Sequence, residues 1–260
     1  MPIITILDKL YGSYSPTTLE KIYSNLMNGL KVQLGFRGTT DRGWIQLDVS
    51  GADEIAALYL LDREIGLAPE SLVYLQKFSV MQGKIIFSNT STNRLYVDLG
   101  ASSPNICDAV LSDKSLYAQL TDGKEISHKE LVRLFCFYDY FPIQVKLFED
   151  ITTGNESVNA RLSESQLSFF KKCIRSRFDR LIILGSLISD VQRAVKLSRH
   201  YRDIIRIESL GTLEQVILCK LGTDAVGLIP KIGRSLKTAV LVPFSPKKII
   251  EKLGGDSFDW

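Results

Sequence analysis

The last third of the chain carries a run of short patterned segments whose order leaves few ways to fold. Apolar, β-branched stretches at residues 181–184, 204–209, 213–220 and 239–243 read as strands, and the periodicity at 190–201 and 224–236 reads as helices. The order is strand, helix, strand, strand, helix, strand, which is the ferredoxin-like arrangement. Right-handed crossovers then put both helices on one face of a four-stranded sheet. A further helix precedes this unit, capped by Ser163 with Leu167, Phe170 and Ile174 as its core stripe, and another starts at Ser245 and Pro246.

The start of the chain reads differently. A β-branched run at residues 2–7 leads to Ser15 and Pro16, an N-cap followed by the residue type favoured at the first helical position. Leu19, Ile22, Leu26 and Leu30 then recur at helical steps. Residues 31–36 and 44–49 alternate in the period of two around a Gly/Thr/Asp loop, a hairpin, and Asp53 is placed to cap a second helix over 54–65. Between these two regions the pattern shifts to short strands at 78–87, 95–99, 106–111 and 142–148, with a helix over 127–137, which suggests a small barrel. The expected fold is therefore α+β in three parts. These are an N-terminal βαββα module (1–70), a central OB-like β-barrel (71–150) and a C-terminal ferredoxin-like α/β sandwich (157–253), with 151–157 as linker and 254–260 as tail.

With 45% apolar and 23% charged residues, the composition excludes a disordered or collagenous chain. The apolar-plus-glycine run at residues 181–187, broken only by Ser186, is too short to span a bilayer, and the first ten residues already carry Asp8 and Lys9, unlike a signal peptide. A cytoplasmic protein without a membrane segment is expected. The overall charge of +3 conceals an asymmetry: residues 1–75 carry −3, residues 76–150 carry −1 and residues 151–260 carry +7. Residues 171–206 hold ten Lys and Arg against Asp179, Asp190 and Asp203. Such a bias points to a polyanionic partner at that end.

Within it, Arg193, Lys196 and Arg199 recur every three residues opposite Val191, Ala194 and Val195, with Ser189 as the expected cap. Lys171, Lys172 and Arg175 do the same on the preceding helix. A merely solvated face would mix both signs, whereas here acids are scarce. On the barrel, Phe78, Phe87 and Tyr96 could stack unpaired bases beside Lys84 and Arg94, although aromatic core packing would use the same residues. Glycine turns at Gly185–Ser186 and Gly222–Asp224 fit simple capping better than phosphate cradles, since neither matches a nucleotide fingerprint. Asp48, Asp53, Asp98 and Asp108 are scattered, His128 and His200 are far apart, and Cys107, Cys136, Cys173 and Cys219 lack the short spacing of a zinc site. No catalytic residue, metal or cofactor is expected, and the cysteines read as buried thiols.

Arg202, Asp203, Ile204, Ile207, Glu208, Leu210, Gly211, Leu213 and Glu214, followed by Cys219, residues 221–231 and Gly233, resemble the carboxy-terminal signature of the archaeal domain-of-unknown-function 2110 family. The resemblance implies an archaeal, cytoplasmic protein and carries no established activity. Gly83 and Lys84, followed by Leu95, Val97, Asp98, Leu99 and Gly100, are similar to the opening hairpin of RNA-binding barrels of the ribosomal S-one type. The third strand departs from that type, with Ile106, Cys107, Asp108, Ala109 and Val110 where a glycine and histidine run is usual. The expectation is a non-catalytic RNA-binding protein of the translation machinery, held on the ribosome. Its contacts would be Lys171, Lys172, Arg175, Arg193, Lys196, Arg199, Arg202, Lys84, Arg94, Phe87 and Tyr96. The alternatives are a nucleic-acid-binding factor of the transcription machinery, or a scaffold whose acidic N-terminal part docks proteins.

Overall fold

A computed structural model describes residues 3–69, 75–86, 93–100, 106–150 and 156–254. The N-terminal part comprises β1 (Ile3–Lys9), α1 (Pro16–Leu26), β2 (Val32–Thr39), β3 (Trp44–Gly51) and α2 (Glu54–Glu64). Its antiparallel sheet has the order β1-β3-β2. Ser15 caps α1 as its position predicts, accepting from the Thr18 amide. The deep positions of α1 are Leu19 and Tyr23, with Met27 just beyond; Ile22, Leu26 and Leu30 pack only at the margin. Asp53 precedes α2 but makes no cap bond. Its carboxylate instead accepts the Lys31 amide at 2.7 Å, tying the start of β2 to the helix.

The barrel closes with five strands, β4 (Val80–Ile86), β5 (Arg94–Asp98), β6 (Asp108–Ser112), β7 (Pro142–Leu147) and β8 (Ser157–Leu162), in the order β4-β5-β6-β8-β7. β6 and β8 run parallel and the other neighbours antiparallel, an OB-like layout. The sequence patterns supplied four of these strands. The fifth, β8, lies past the polar stretch read as a linker, and its outside-inside alternation from Ser157 to Leu162 fills the gap between β6 and β7. Two helices, α3 (Asp113–Leu120) and α4 (His128–Phe135), join β6 to β7, and α3 was not foreseen. Gly83 is required where β5 crosses β4: a Cβ there would lie 2.4 Å from the Asp98 carbonyl oxygen.

Beyond the barrel come α5 (Glu164–Arg175), β9 (Arg180–Leu184), α6 (Ile188–Ser198), β10 (Ile204–Ser209), β11 (Glu214–Cys219), α7 (Ala225–Ile232), β12 (Val240–Phe244) and α8 (Pro246–Leu253). The sheet order β10-β11-β9-β12, antiparallel throughout, is the ferredoxin-like one. Leu187, not Ser189, occupies the cap position of α6 and gives no side-chain bond, because the helix starts before Ser189.

Alternate residues of the central strands face opposite ways. Leu181, Ile183, Ile217 and Cys219 meet α6 and α7, which pack side by side. Ile182, Leu184, Val216, Val242 and Phe244 instead join one continuous core with α5, α8 and the barrel. A fragment starting at residue 157 would keep α5 and α8 on that face but lose the barrel side of the core, and it would carry off β8.

All four cysteines are free and buried. Burial pushes the Cys136 thiol up, and it pushes Cys219, with help from Asp179, to about 12. Since the thiolate is the reactive species, iodoacetamide should leave all four unmodified in the native protein and label them once guanidinium is added, as read by intact mass.

Candidate nucleic-acid interface

The α6–α7 layer presents its outer surface to solvent. Arg193, Lys196 and Arg199 are exposed on α6 and its C-cap, and Arg202 follows them. α7 and the 3-10 turn after it add exposed Lys231, Arg234 and Lys237 to the same layer, three cations the sequence reading missed although their spacing of three is visible there. The acids of this layer are already engaged. Asp190 accepts from Tyr14 Oη at 2.6 Å and pairs with Arg193 at 3.3 Å, Asp203 holds His200 at 2.6 Å, and Asp224 caps α7 through the Val226 amide. The Gly222–Asp224 turn is thus a cap.

Lys172 and Arg175 are exposed and Lys171 half-buried, but on the opposite side of the sheet. α5 turns Phe170, Cys173 and Ile174 into the barrel-side core, whereas α6 packs on the other face. The two basic stripes therefore do not form one surface. The sheet itself offers no stacking platform, since both of its faces are covered.

Lys84 corrects the expectation most sharply. It points out of the barrel, as alternation with core residue Ile85 requires, yet the outside is roofed by the other two modules and the side chain is only 3% exposed. Its ammonium lies 2.7 Å from Glu214 of β11 and 3.5 Å from Asp8 of β1. Burial alone would push its pKa down, but the two carboxylates hold it above the ordinary lysine value. Cross-strand register sets Lys84 opposite Asp98 and Asp98 opposite Asp108. Lys9 then reaches Asp98 at 2.6 Å, and Arg42 bonds Asp108 and approaches Asp98 at 3.8 Å. Two of the four scattered acids thus meet at the barrel wall, held by cations from the N-terminal module. Tyr23 and Thr212 donate to Asp8, and Tyr11 donates to Glu214 at 2.5 Å. The second Glu214 oxygen presses on Gly211, where a Cβ would come within 2.2 Å. This network ties the three modules together, and Asp8, Tyr23, Lys84, Thr212 and Glu214 also line a cavity of about 790 Å³ between them.

Of the remaining barrel candidates, Arg94 is exposed and Tyr96 half-buried on the outer side of β5, while Phe87 lies outside the described residues. Phe78 is half exposed and stands edge-on to Phe148 at 5.7 Å, with Lys77 and Lys146 over its ring and Arg161 over that of Phe148. His128 pairs with Asp113 at 2.7 Å. Among the described residues no group of three or more His, Cys, Asp or Glu side chains is placed to hold a metal ion, and no helix is long and apolar enough to cross a membrane.

Comparison with protein families gives two matches, in chain order. The model described as the DUF2110 N-terminal domain matches residues 3–71, and that described as the DUF2110 C-terminal domain matches residues 178–243. Together they span just over half of the chain, with the barrel between them. None of the curated proteins matches it.

Proposed function

The chain belongs to the DUF2110 family, and from that premise we propose that it is a non-catalytic RNA-binding protein of the translation machinery that binds the ribosome through the outer face of α6 and α7. The observation that carries this reading is the sign imbalance of that face: exposed cations on both helices, and acids already committed to Tyr14, His200 and a helix cap. Guanidinium and ammonium groups so arranged attract phosphates and release their counterions on binding. With the sheet faces covered, recognition runs through the backbone rather than through stacked bases. That mode suits structured RNA, whose A-form helices are bound by shape and phosphate, and ribosomal RNA is the largest such surface in a cell. Phe78 and Phe148, with their three cations, could add one stacked base at the barrel.

The test is co-sedimentation of the full chain with ribosomes at 50 and 300 mM salt, alongside direct binding to structured and single-stranded RNA. Binding should be strong at the lower concentration and fall steeply at the higher, as expected for several phosphate contacts. Co-sedimentation indifferent to salt, or none at 50 mM, would overturn the reading and favour a protein-docking scaffold.

A further inference from the structure

The basic layer closes at one end into a pocket between the N- and C-terminal modules. Its volume is about 320 Å³, and its wall includes Arg193, Arg234 and Lys237 with the hydroxyls of Ser13, Ser235 and Thr238. The N-terminal contribution is anchored. Ser13 and Thr238 hydroxyls lie 3.1 Å apart, and Tyr14 both accepts the Leu187 amide at 3.0 Å and donates to Asp190. The site exists only because residues far apart in sequence meet, and ligand sites favour such inter-module clefts.

The charge balance decides what it can hold. Asp190 is the one carboxylate in the described wall, and its two oxygens already face Tyr14 and Arg193. Among the described residues Arg234 and Lys237 have no carboxylate partner. Three cations against one acid leave two positive charges, bordered by hydroxyl donors. A phosphate monoester carries about −1.5 to −2 charge at neutral pH with three acceptor oxygens, and arginine can grip it with two parallel bonds. An internal phosphodiester has a single negative charge and would leave one of the two positive charges unmatched.

We propose that this pocket seats a phosphate monoester, and, resting on the RNA reading above, that the monoester is the terminal phosphate of an RNA strand lying along α6 and α7. The pocket would then fix where the strand ends on the helical face.

The test compares one RNA oligomer bearing a 5′-phosphate, a 3′-phosphate or neither, by fluorescence anisotropy with the full chain. One phosphorylated form should bind about 30-fold tighter than the unphosphorylated one, as two phosphate contacts of about fivefold each would give. Ser13→Glu puts a negative charge into the wall from the N-terminal module, away from the helical face, and should bring that ratio to one. The double variant Arg234→Gln with Lys237→Gln should do the same, whatever it does to absolute affinity. Ribose 5-phosphate, followed by thermal shift, is the small-molecule arm. Equal affinity for all three oligomers overturns the terminal-phosphate assignment and leaves the RNA reading standing. No RNA binding, with ribose 5-phosphate stabilising the wild type but not Ser13→Glu, keeps a phosphate pocket and overturns the RNA reading. Failure of both arms overturns both.

Discussion

Replacing Lys84 with methionine is expected to lower the melting temperature by about 10 °C. The substitution keeps the aliphatic volume and removes the cation, so Asp8 and Glu214 are left buried side by side without their shared partner. Removing one member of a buried pair costs about 3–5 kcal/mol, and for a chain of this size each kcal/mol shifts the midpoint by about 2–4 °C. Adding Glu214→Gln should restore part of the loss, because the burial of uncompensated charge falls with it. The pH dependence has a defined sign. The folded-state pKa of Lys84 is raised above its unfolded value, so its contribution is full below the ordinary lysine value of 10.5 and is lost as pH rises through the folded one. Wild type should therefore lose stability in strongly alkaline solution along a segment that Lys84→Met lacks. A methionine variant melting within about 2 °C of wild type would show the cluster to be energetically idle.

Reversing Arg193, Lys196 and Arg199 to glutamate should weaken RNA and ribosome binding about 100-fold at low salt, taking roughly 1 kcal/mol for each lost phosphate contact. The slope of log affinity against log salt should flatten by about 2 to 3. The three side chains are exposed, so the core behind Val191, Ala194 and Val195 is untouched. Glutamate keeps a good helix propensity. Local costs exist, since Arg193→Glu exchanges the pair with Asp190 for a repulsion, worth a few tenths of a kcal/mol on an exposed helix, and Lys196→Glu and Arg199→Glu set anions at the negative end of the α6 dipole, about 0.3–1 kcal/mol each. The melt should fall by no more than about 5 °C, and a folded variant with unchanged binding would reduce the stripe to an ordinary solvated surface. The matching reversal of Lys172 and Arg175 on α5 is the internal control, because those residues face the other way.

Much of the fold was legible because local rules act within a few residues. Ser15, Ser127 and Ser163 each start a helix by accepting an amide from the first turn, which any reader of the sequence can anticipate. The alternation along β9–β12 and the two intervening helices fix the ferredoxin-like order. The exposure of Arg193 and Lys196 followed from helical period, whereas Arg199 is the left-handed C-cap just past the helix. Strand β8 was legible too, but its polar outward residues, Ser157, Asn159 and Arg161, follow directly on a polar stretch and concealed an alternation that closes the barrel.

What only the tertiary structure decided concerns which outward faces stay in water. A period of two states that Lys84 points away from the barrel interior, and it does. Whether solvent or another module lies there depends on contacts with Glu214, 130 residues later, and with Asp8 on the first strand, that no local pattern encodes. The same holds for α5 and α6, whose stripes look equivalent in sequence and lie on opposite sides of one sheet, and for Ser13 and Arg234, which share a pocket only after the N- and C-terminal modules have packed. Periodicity determines the direction of a side chain relative to its own element; burial, charge pairing and the shape of a site are set by what the rest of the chain brings against it.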